Sequence, residues 1–258
     1  MSDSGRPQRL VFGEVAELYH RLRPGYPPAV FDAVGDFAQM VAGSAVLEVG
    51  AGTGKATGPL LERGWRVLAL EPSQEMAEVV RREFGSDSRL ELVEQGFEAW
   101  DPGSRRFQVV CSAQAWHWVD QSVGLAKAAR VLAPRGCMAL MWNRPEGGDR
   151  DLRGRIDDIY RRLAPEISSR TPGERKVDRR VGIDASGLFE PAELVRIPWE
   201  RSYSAVDYLD LMRTQSDHRL LTEGRRERLL SELGRAIEGA GGKYRVGYLC
   251  LLYLARSL

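Results

Sequence analysis

The sequence predicts an α/β fold, an open and mostly parallel sheet with helices on both faces. Three features predict it. Short aliphatic runs alternate with helical stretches between residues 43 and 145. A glycine cluster, Gly50, Gly52 and Gly54, directly follows the first of these runs. A long apolar run at 244–255 closes the chain and must return to the sheet begun at 45–49. Strand, helix and strand repeated in this way imply right-handed crossovers and parallel pairing.

The first strand is expected at 45–49, followed by a sharp turn at 50–54 and a helix reaching Arg63. A second strand follows at 66–70. Ser73 then caps a helix running to about Phe84, its hydroxyl taking up free N–H groups of the first turn. Strands are expected at 90–93 and 107–112, then a helix over 121–132. Ala133-Pro134-Arg135-Gly136 breaks that helix, and a fifth strand occupies 137–142. Beyond Pro145 the character changes. Residues 151–180 carry nine Lys/Arg and six Asp/Glu, with an amphipathic stretch through Ile156, Ile159, Tyr160 and Leu163. Such a run reads either as a basic surface for an anionic partner or as a solvated helix face. A strand at 193–199 holds Pro198, which suits an edge position where a missing N–H does little harm. Ser204 and Asp207 open a helix at 204–212, a second helix spans 225–237, and Gly241-Gly242 precedes the final strand. The expected organisation is one domain: an N-terminal lid segment at 1–40, a core at 41–145, cap insertions at about 147–187 and 204–242, and the closing strand.

A chain of 258 residues can bury a real core without a disulfide or metal staple. Its 37 Lys+Arg against 36 Asp+Glu leave a net charge of +1, which argues against gripping nucleic acid by bulk charge. Cys111, Cys137 and Cys250 lie far apart, match no metal-ligand spacing and read as reduced thiols of a cytoplasmic protein. The N-terminus is polar and lacks the apolar stretch of a signal peptide. The most apolar run, 246–255, is about half the length of a membrane helix. A soluble protein is expected, with neither membrane nor nucleic acid as partner. No GxSxG elbow and no His/carboxylate metal motif is present, so hydrolase and metalloenzyme readings lack support.

The informative segment is Val46-Leu47-Glu48-Val49-Gly50-Ala51-Gly52-Thr53-Gly54. Glycines directly after a first strand allow a tight turn and the close approach of a ligand. A P-loop would need glycine where Val49 stands and a hydroxyl where Ala56 stands. A dinucleotide turn, GxGxxG, would need glycine where Lys55 stands, which weakens a nicotinamide-cofactor oxidoreductase without excluding it. Glu71, ending the second strand, can accept hydrogen bonds from both hydroxyls of a ribose. It marks a ribose binder without identifying the cofactor, and a surface carboxylate before a helix cap is the plainer alternative.

The pattern hhExGxGxG resembles motif I of the class I S-adenosylmethionine-dependent methyltransferases. Two further segments carry the resemblance. Residues 12–27, including Ala16, Tyr19, Arg23, Pro24, Tyr26 and Pro27, resemble the AxxYxxxRPxYP segment of one methyltransferase group. Residues 113–120, Ala113-Gln114-Ala115-Trp116-His117-Trp118-Val119-Asp120, resemble that group's A-x-A-x-H-W-x-D segment. The group includes enzymes similar to trans-aconitate methyltransferases and other small-molecule methyltransferases.

The resemblance implies a Rossmann-like, doubly wound, seven-stranded sheet with its last strand antiparallel, plus cap and lid helices. It implies S-adenosylmethionine as cofactor, S-adenosylhomocysteine as product and a small-molecule acceptor, with O-methylation favoured and N- or C-methylation also open. Gly50, Ala51, Gly52, Thr53 and Gly54 would surround the methionine and ribose portions, and Glu71 would hold the ribose. Pro72 and Met76 would border the adenine, as would Gly96, Phe97 and Glu98, although Phe97 could equally plug the core. Ala113 and Gln114 would meet the methionine end, and Tyr19 and Arg23 would belong to the lid. His117 is the candidate base, or else a positioning residue. Trp116 and Trp118 would shape the acceptor pocket or face the sulfonium, and one of them could be simple core. Trp142, Asn143, Arg144 and Tyr160 are acceptor-side candidates by position. A binding module without turnover is the non-enzymatic alternative.

Overall fold

The computed structural model describes residues 16–168 and 178–258. Helices α1 (Ala16–Leu22) and α2 (Pro28–Ala38) precede β1 (Ala45–Val49), α3 (Thr57–Glu62), β2 (Arg66–Leu70), α4 (Gln74–Phe84), β3 (Leu90–Val93) and β4 (Phe107–Ala113). A 3-10 turn at Trp116–Trp118 leads to α5 (Gln121–Val131) and β5 (Leu132–Gly148). The chain continues through α6 (Arg150–Leu163), α7 (Pro165–Ser168), α8 (Arg180–Ala185) and β6 (Glu193–Ser204). It ends with α9 (Ala205–Arg213), α10 (Ser216–Arg219), α11 (Glu223–Glu238) and β7 (Lys243–Arg256).

The seven strands form one sheet in the order β3-β2-β1-β4-β5-β7-β6. The first five are parallel, with Ala45 opposite Arg66, Val67 opposite Leu90, Val46 opposite Val109 and Val109 opposite Cys137. β7 runs against both neighbours. Asp149 and Ser257 donate to Arg245 and Gly136 on one side, and Glu190 and Ala205 donate to Arg256 and Gly242 on the other. The expected mostly parallel sheet with an antiparallel final strand is therefore observed, and Pro198 lies on the edge strand β6.

Two compact units divide the chain. One consists of Gly25–Arg144, Arg179–Ile197 and Cys250–Leu258, and the other of the described parts of Met1–Pro24, Pro145–Asp178 and Pro198–Leu249. In the first unit, Val46, Leu47, Ala69, Val109, Val110, Met138 and Leu140 are buried in the sheet. Parallel strands covered on both faces read as unbroken apolar runs, which explains why these strands stand out in the sequence. Cys111, Cys137 and Cys250 are all buried. Burial pushes the Cys137 and Cys250 thiols up to about 12, so they stay protonated and unreactive. In the second unit, α6 presents Leu152, Ile156 and Ile159 to Leu229, Leu230, Leu233 and Ile237 of α11, at helical spacing. Tyr208 packs edge-on against Tyr244 at 5.0 Å, and the Tyr203 and Tyr248 hydroxyls lie 3.2 Å apart.

Local chemistry sets the element ends. Ser73 accepts from the Met76 N–H at 3.4 Å, and Ser204 accepts from that of Asp207 at 3.1 Å, as their spacing predicted. Asp149 caps α6 in the same way at 3.0 Å. The fifth strand departs from expectation, because β5 begins at Leu132 and runs to Gly148. Ala133 to Gly136 form an irregularity within the strand, where the partner of β4 shifts from Leu132 to Cys137. A Cβ on Gly136 would lie 3.0 and 3.1 Å from the carbonyl oxygens of Phe107 and Gln108, so this bulge needs glycine. Helix α2, which opens on Pro28 at its first position, was not among the expected elements.

Candidate functional site

The chain winds outward from β1 to β2 and β3, then crosses to β4 on the other side of β1. In open α/β sheets, ligands bind beyond the carboxyl ends of the strands at such a switch in order. The glycine turn stands there. Gly50, Gly52 and Gly54 have φ of 72°, 58° and 84°, the left-handed region that glycine enters without steric cost. Gly50 is constrained a second time, because a Cβ would come within 2.5 Å of the Ala115 Cβ. The Gly50 and Ala51 N–H groups donate to the Leu70 carbonyl at 2.9 and 3.0 Å, which ties the turn to the end of β2. The Ser112 hydroxyl donates to the Val49 carbonyl at 2.8 Å, linking β4 to β1 across the switch. Nothing in the sequence pattern singled out Ser112.

Glu71 sits at the end of β2 and is buried. One carboxylate oxygen accepts from the Gly52 N–H at 2.7 Å and the other from the Ser73 N–H at 2.9 Å. A carboxylate offers about four acceptor positions, so two stay open for hydroxyl donors. Burial raises its pKa, against the lowering effect of the Ser73 and Gly52 hydrogen bonds. Glu48, on β1, is wholly buried and accepts the Thr57 hydroxyl at 2.6 Å, while its Oε1 has no partner. Loss of solvent pushes this carboxyl up to about 8, and the Glu71 charge adds to the rise. Ala51 and Thr53 are buried within the turn, Pro72 is exposed, and Met76 places its sulfur 4.0 Å from where a Cβ on Gly52 would stand.

The loop after β3 is held from below. Phe97 is buried and meets Trp116 at 5.8 Å, whereas Glu98 accepts from the Asp120 N–H at 3.0 Å. Lys127 of α5 donates to the carbonyls of Phe97 at 2.7 Å, Glu98 at 3.1 Å and Trp100. Its ammonium also lies 5.3 Å from the Phe97 ring centre. Sequence reasoning missed this lysine. The available signal was a single ammonium on the apolar face of α5, alongside Gly124, Ala128 and Val131.

At the end of β4, the Gln114 N–H donates to the Met141 carbonyl at 2.9 Å, while the side-chain Oε1 is buried without a partner. Gln114 has φ of 59°, a strained state for a residue with a side chain. Ala113 before it is half-buried. Trp116 is 1% exposed and belongs to the core, whereas Trp118 is 41% exposed. His117 is exposed beside Trp118, with ring centres 4.8 Å apart. Loss of solvent around the imidazole, then the Arg179 charge, lowers its pKa below the usual 6.5. Trp142 stands edge-on to Tyr253 at 5.8 Å with the Arg179 guanidinium 5.0 Å above its ring. Asn143 donates to the Gly25 carbonyl at 2.7 Å, and Arg144 is close enough for its charge to act on Arg179.

These residues all lie in the first unit. Tyr19, Arg23 and Tyr160 lie in the second. There Arg23 covers the Tyr19 ring at 4.8 Å and donates to the Thr214 hydroxyl and carbonyl at 3.1 and 3.0 Å. The Tyr160 hydroxyl lies 2.7 Å from His218 Nε2, and His218 Nδ1 lies 2.8 Å from Asp217. Residues 12–15 of the N-terminal segment fall outside the described residues. Among the described residues, no His, Cys, Asp and Glu gather to hold a metal ion. No helix among them is long and apolar enough to cross a membrane.

Comparison with known proteins agrees with this arrangement. Residues 46–136 match the family described as methyltransferase domain. An uncharacterized methyltransferase of Mycobacterium tuberculosis is 37% identical over 215 residues, covering 79% of this chain and 81% of its own. A solved structure described as a candidate type II methyltransferase from Anaeromyxobacter dehalogenans has a TM-score of 0.66 at 25% identity, over 91% of this chain and 97% of that one. Phosphoethanolamine N-methyltransferase 2 from Haemonchus contortus, in complex with S-adenosyl-L-methionine, has a TM-score of 0.55 over 98% of this chain and 60% of that one. At 14% identity, that last likeness is one of fold alone. The glycine cradle and the open acceptor positions of Glu71 fit the adenosyl cofactor. The relative aligned over most of both chains, and the family match across the glycine turn, lead to one conclusion: the chain belongs to the class I S-adenosylmethionine-dependent methyltransferases and uses that cofactor.

Proposed function

We propose that this methyltransferase acts on a small-molecule acceptor, with oxygen of a hydroxyl or carboxylate favoured over nitrogen or carbon. The observation that carries the reading is His117, whose imidazole stands just beyond the end of β4 in surroundings that favour its neutral form. A neutral imidazole can take the proton of a hydroxyl acceptor, while a carboxylate acceptor needs no base. The net charge of +1 supports a small acceptor over a nucleic acid. The sequence segments at 12–27 and 113–120 support placement beside the group that includes enzymes similar to trans-aconitate methyltransferases. The nicotinamide alternative falls with the family assignment. A labelled-methyl assay against a metabolite extract, with mass identification of the product, tests turnover; binding without transfer would leave the non-catalytic module.

In this reading the glycine turn, residues 50–54, surrounds the methionine and ribose portions and Glu71 takes the ribose hydroxyls. Pro72, Met76, Gly96, Phe97 and Glu98 border the adenine, and Ala113 and Gln114 meet the methionine end. Cap stretches at about 147–187 and 204–242 are our proposal for the segments that select the acceptor. The bound cofactor supplies a methyl on a sulfonium, released to the acceptor as neutral S-adenosylhomocysteine departs. The chain's share is alignment and exclusion of water, effects that can lower a barrier by roughly 7–11 kcal/mol.

Two substitutions test these roles. His117→Gln is expected to lower kcat about 100-fold with a hydroxyl acceptor, leaving cofactor affinity unchanged. The wild-type pH profile should fall below pH 6.5, since the imidazole pKa lies under its usual 6.5, and the variant should lose that limb. An identical profile would remove the base role. Lys127→Met leaves three carbonyls without their cation, so S-adenosylhomocysteine affinity should drop about tenfold. Calorimetry checks this, with Lys127→Arg recovering part of the loss.

A further inference from the structure

Arg179 stands apart among the charged groups of the first unit. Its guanidinium lies 5.0 Å over the face of Trp142, in a half-buried position where β5 passes the carboxyl end of β4. Among the described residues its guanidinium makes no ion pair or hydrogen bond, and only its backbone carbonyl is engaged, by the Ile183 N–H at 3.3 Å. The charges that reach it come from Tyr253 and Arg144, and its own charge reaches His117. None of these groups is a carboxylate. Trp142 directly follows Met141, whose carbonyl accepts from Gln114 at the end of β4. A partly desolvated cation over an indole face therefore stands beside the candidate base and the strand end that would meet the methyl donor.

Taking an arginine partly out of water without an acid partner is costly, and an indole face offsets only part of that cost. A guanidinium lying over a ring keeps its N–H donors directed outward in its own plane. That geometry suits the two oxygens of a planar or tetrahedral oxyanion. Lysine would offer a point charge instead.

We propose that Arg179 anchors an oxyanion, a carboxylate or phosphate, on the methyl acceptor. This rests on the small-molecule reading of the same site and narrows it to anionic acceptors. The anchored oxygens share their lone pairs with the guanidinium and are weakened as nucleophiles. The methyl therefore goes to another atom of the acceptor. That atom's electron pair forms the new bond, the pair of the broken C–S bond stays on sulfur, and any proton displaced leaves through His117 or to solvent. The product keeps its negative charge.

The test combines acceptor fractionation with substitution of the intact chain. A metabolite extract is split by anion exchange into cationic, neutral and anionic fractions, and each is incubated with protein and methyl-labelled S-adenosylmethionine. Label is expected in the anionic fraction, in a product that still elutes as an anion. Arg179→Gln should raise the KM of the purified acceptor about 30-fold with kcat much less affected, and Arg179→Lys should recover part of the loss. S-adenosylhomocysteine affinity, measured by calorimetry, should be the same in all three proteins. Prior treatment of the anionic fraction with phosphatase removes the acceptor if the anchor is a phosphate monoester and spares it if it is a carboxylate. Label confined to the neutral or cationic fractions, or an acceptor KM unmoved by Arg179→Gln, overturns the anchor while leaving small-molecule methylation standing. No label in any fraction, with S-adenosylhomocysteine still bound, overturns the small-molecule reading and the anchor with it.

Discussion

Glu71→Ala is expected to weaken S-adenosylhomocysteine binding by at least two orders of magnitude while the chain stays folded. Glu71 has two duties at the cofactor turn. Its oxygens accept the Gly52 and Ser73 N–H groups at 2.7 and 2.9 Å, so it holds the turn in shape. Its unused acceptor positions are the ones proposed for the ribose. Hydrogen bonds to a charged group contribute about 1.5–3 kcal/mol each, and losing two corresponds to more than 100-fold in affinity. Glu71→Gln should fall between, because an amide keeps one acceptor oxygen and loses the charge. Burial raises the Glu71 carboxyl above the ordinary carboxylate range. Cofactor affinity should therefore weaken on acidification sooner than for an exposed glutamate. Calorimetric titration at several pH values reads both effects, and unchanged affinity in the alanine variant would sink the ribose assignment.

The second large effect concerns stability. Glu48 has no solvent, one hydroxyl partner at 2.6 Å and an orphaned Oε1, with Glu71 and the Cys111 thiol as its titratable neighbours. Its carboxyl titrates at about 8 in the fold against an ordinary 4.5. A group held neutral by the fold contributes its stability in full below pH 4.5, where both states are protonated. Between about 4.5 and 8 the unfolded chain releases the proton that the fold retains, and stability declines throughout that interval. The decline attributable to this group is roughly 3–6 kcal/mol. Glu48→Gln imitates the neutral carboxyl and can still accept from Thr57. Its melting temperature relative to wild type should rise steadily between pH 5 and pH 8.5. A constant difference across that range would show that Glu48 ionises freely in the fold.

The parallel core was legible because its signals are local. The expected bounds of β1, β2 and β3 coincide with those observed, since strands buried on both faces must be apolar along their whole length. The glycine turn and Glu71 were legible for a related reason: a run of positive φ beside a strand end favours glycine, and position alone brings the carboxylate to it. What escaped detection depends on partners distant in sequence. Asn143 to Gly148 looks like a polar loop, yet it is strand because the long β7 lies alongside it. Lys127 finds its three carbonyls about 30 residues upstream. Arg179 is one of nine basic residues between 151 and 180, and only the indole beneath it sets it apart. Trp116 and Trp118 are two residues apart and chemically identical, so only packing reveals that the first is core and the second is exposed.

The outer strand β6 has a consequence for the protein in concentrated solution. A sheet that ends in twelve residues of strand would ordinarily offer a row of donors and acceptors on which a second chain could zip. Pro198 removes one donor from the middle of that row, and its ring obstructs a strand laid against it. Glu193, Arg196, Glu200 and Arg201 place charges of both signs along the same strand. An incoming strand would have to bury them or shift past the gap. The enzyme thus carries a guard against edge-to-edge fibre growth at β6, the longer of the two edge strands of its sheet.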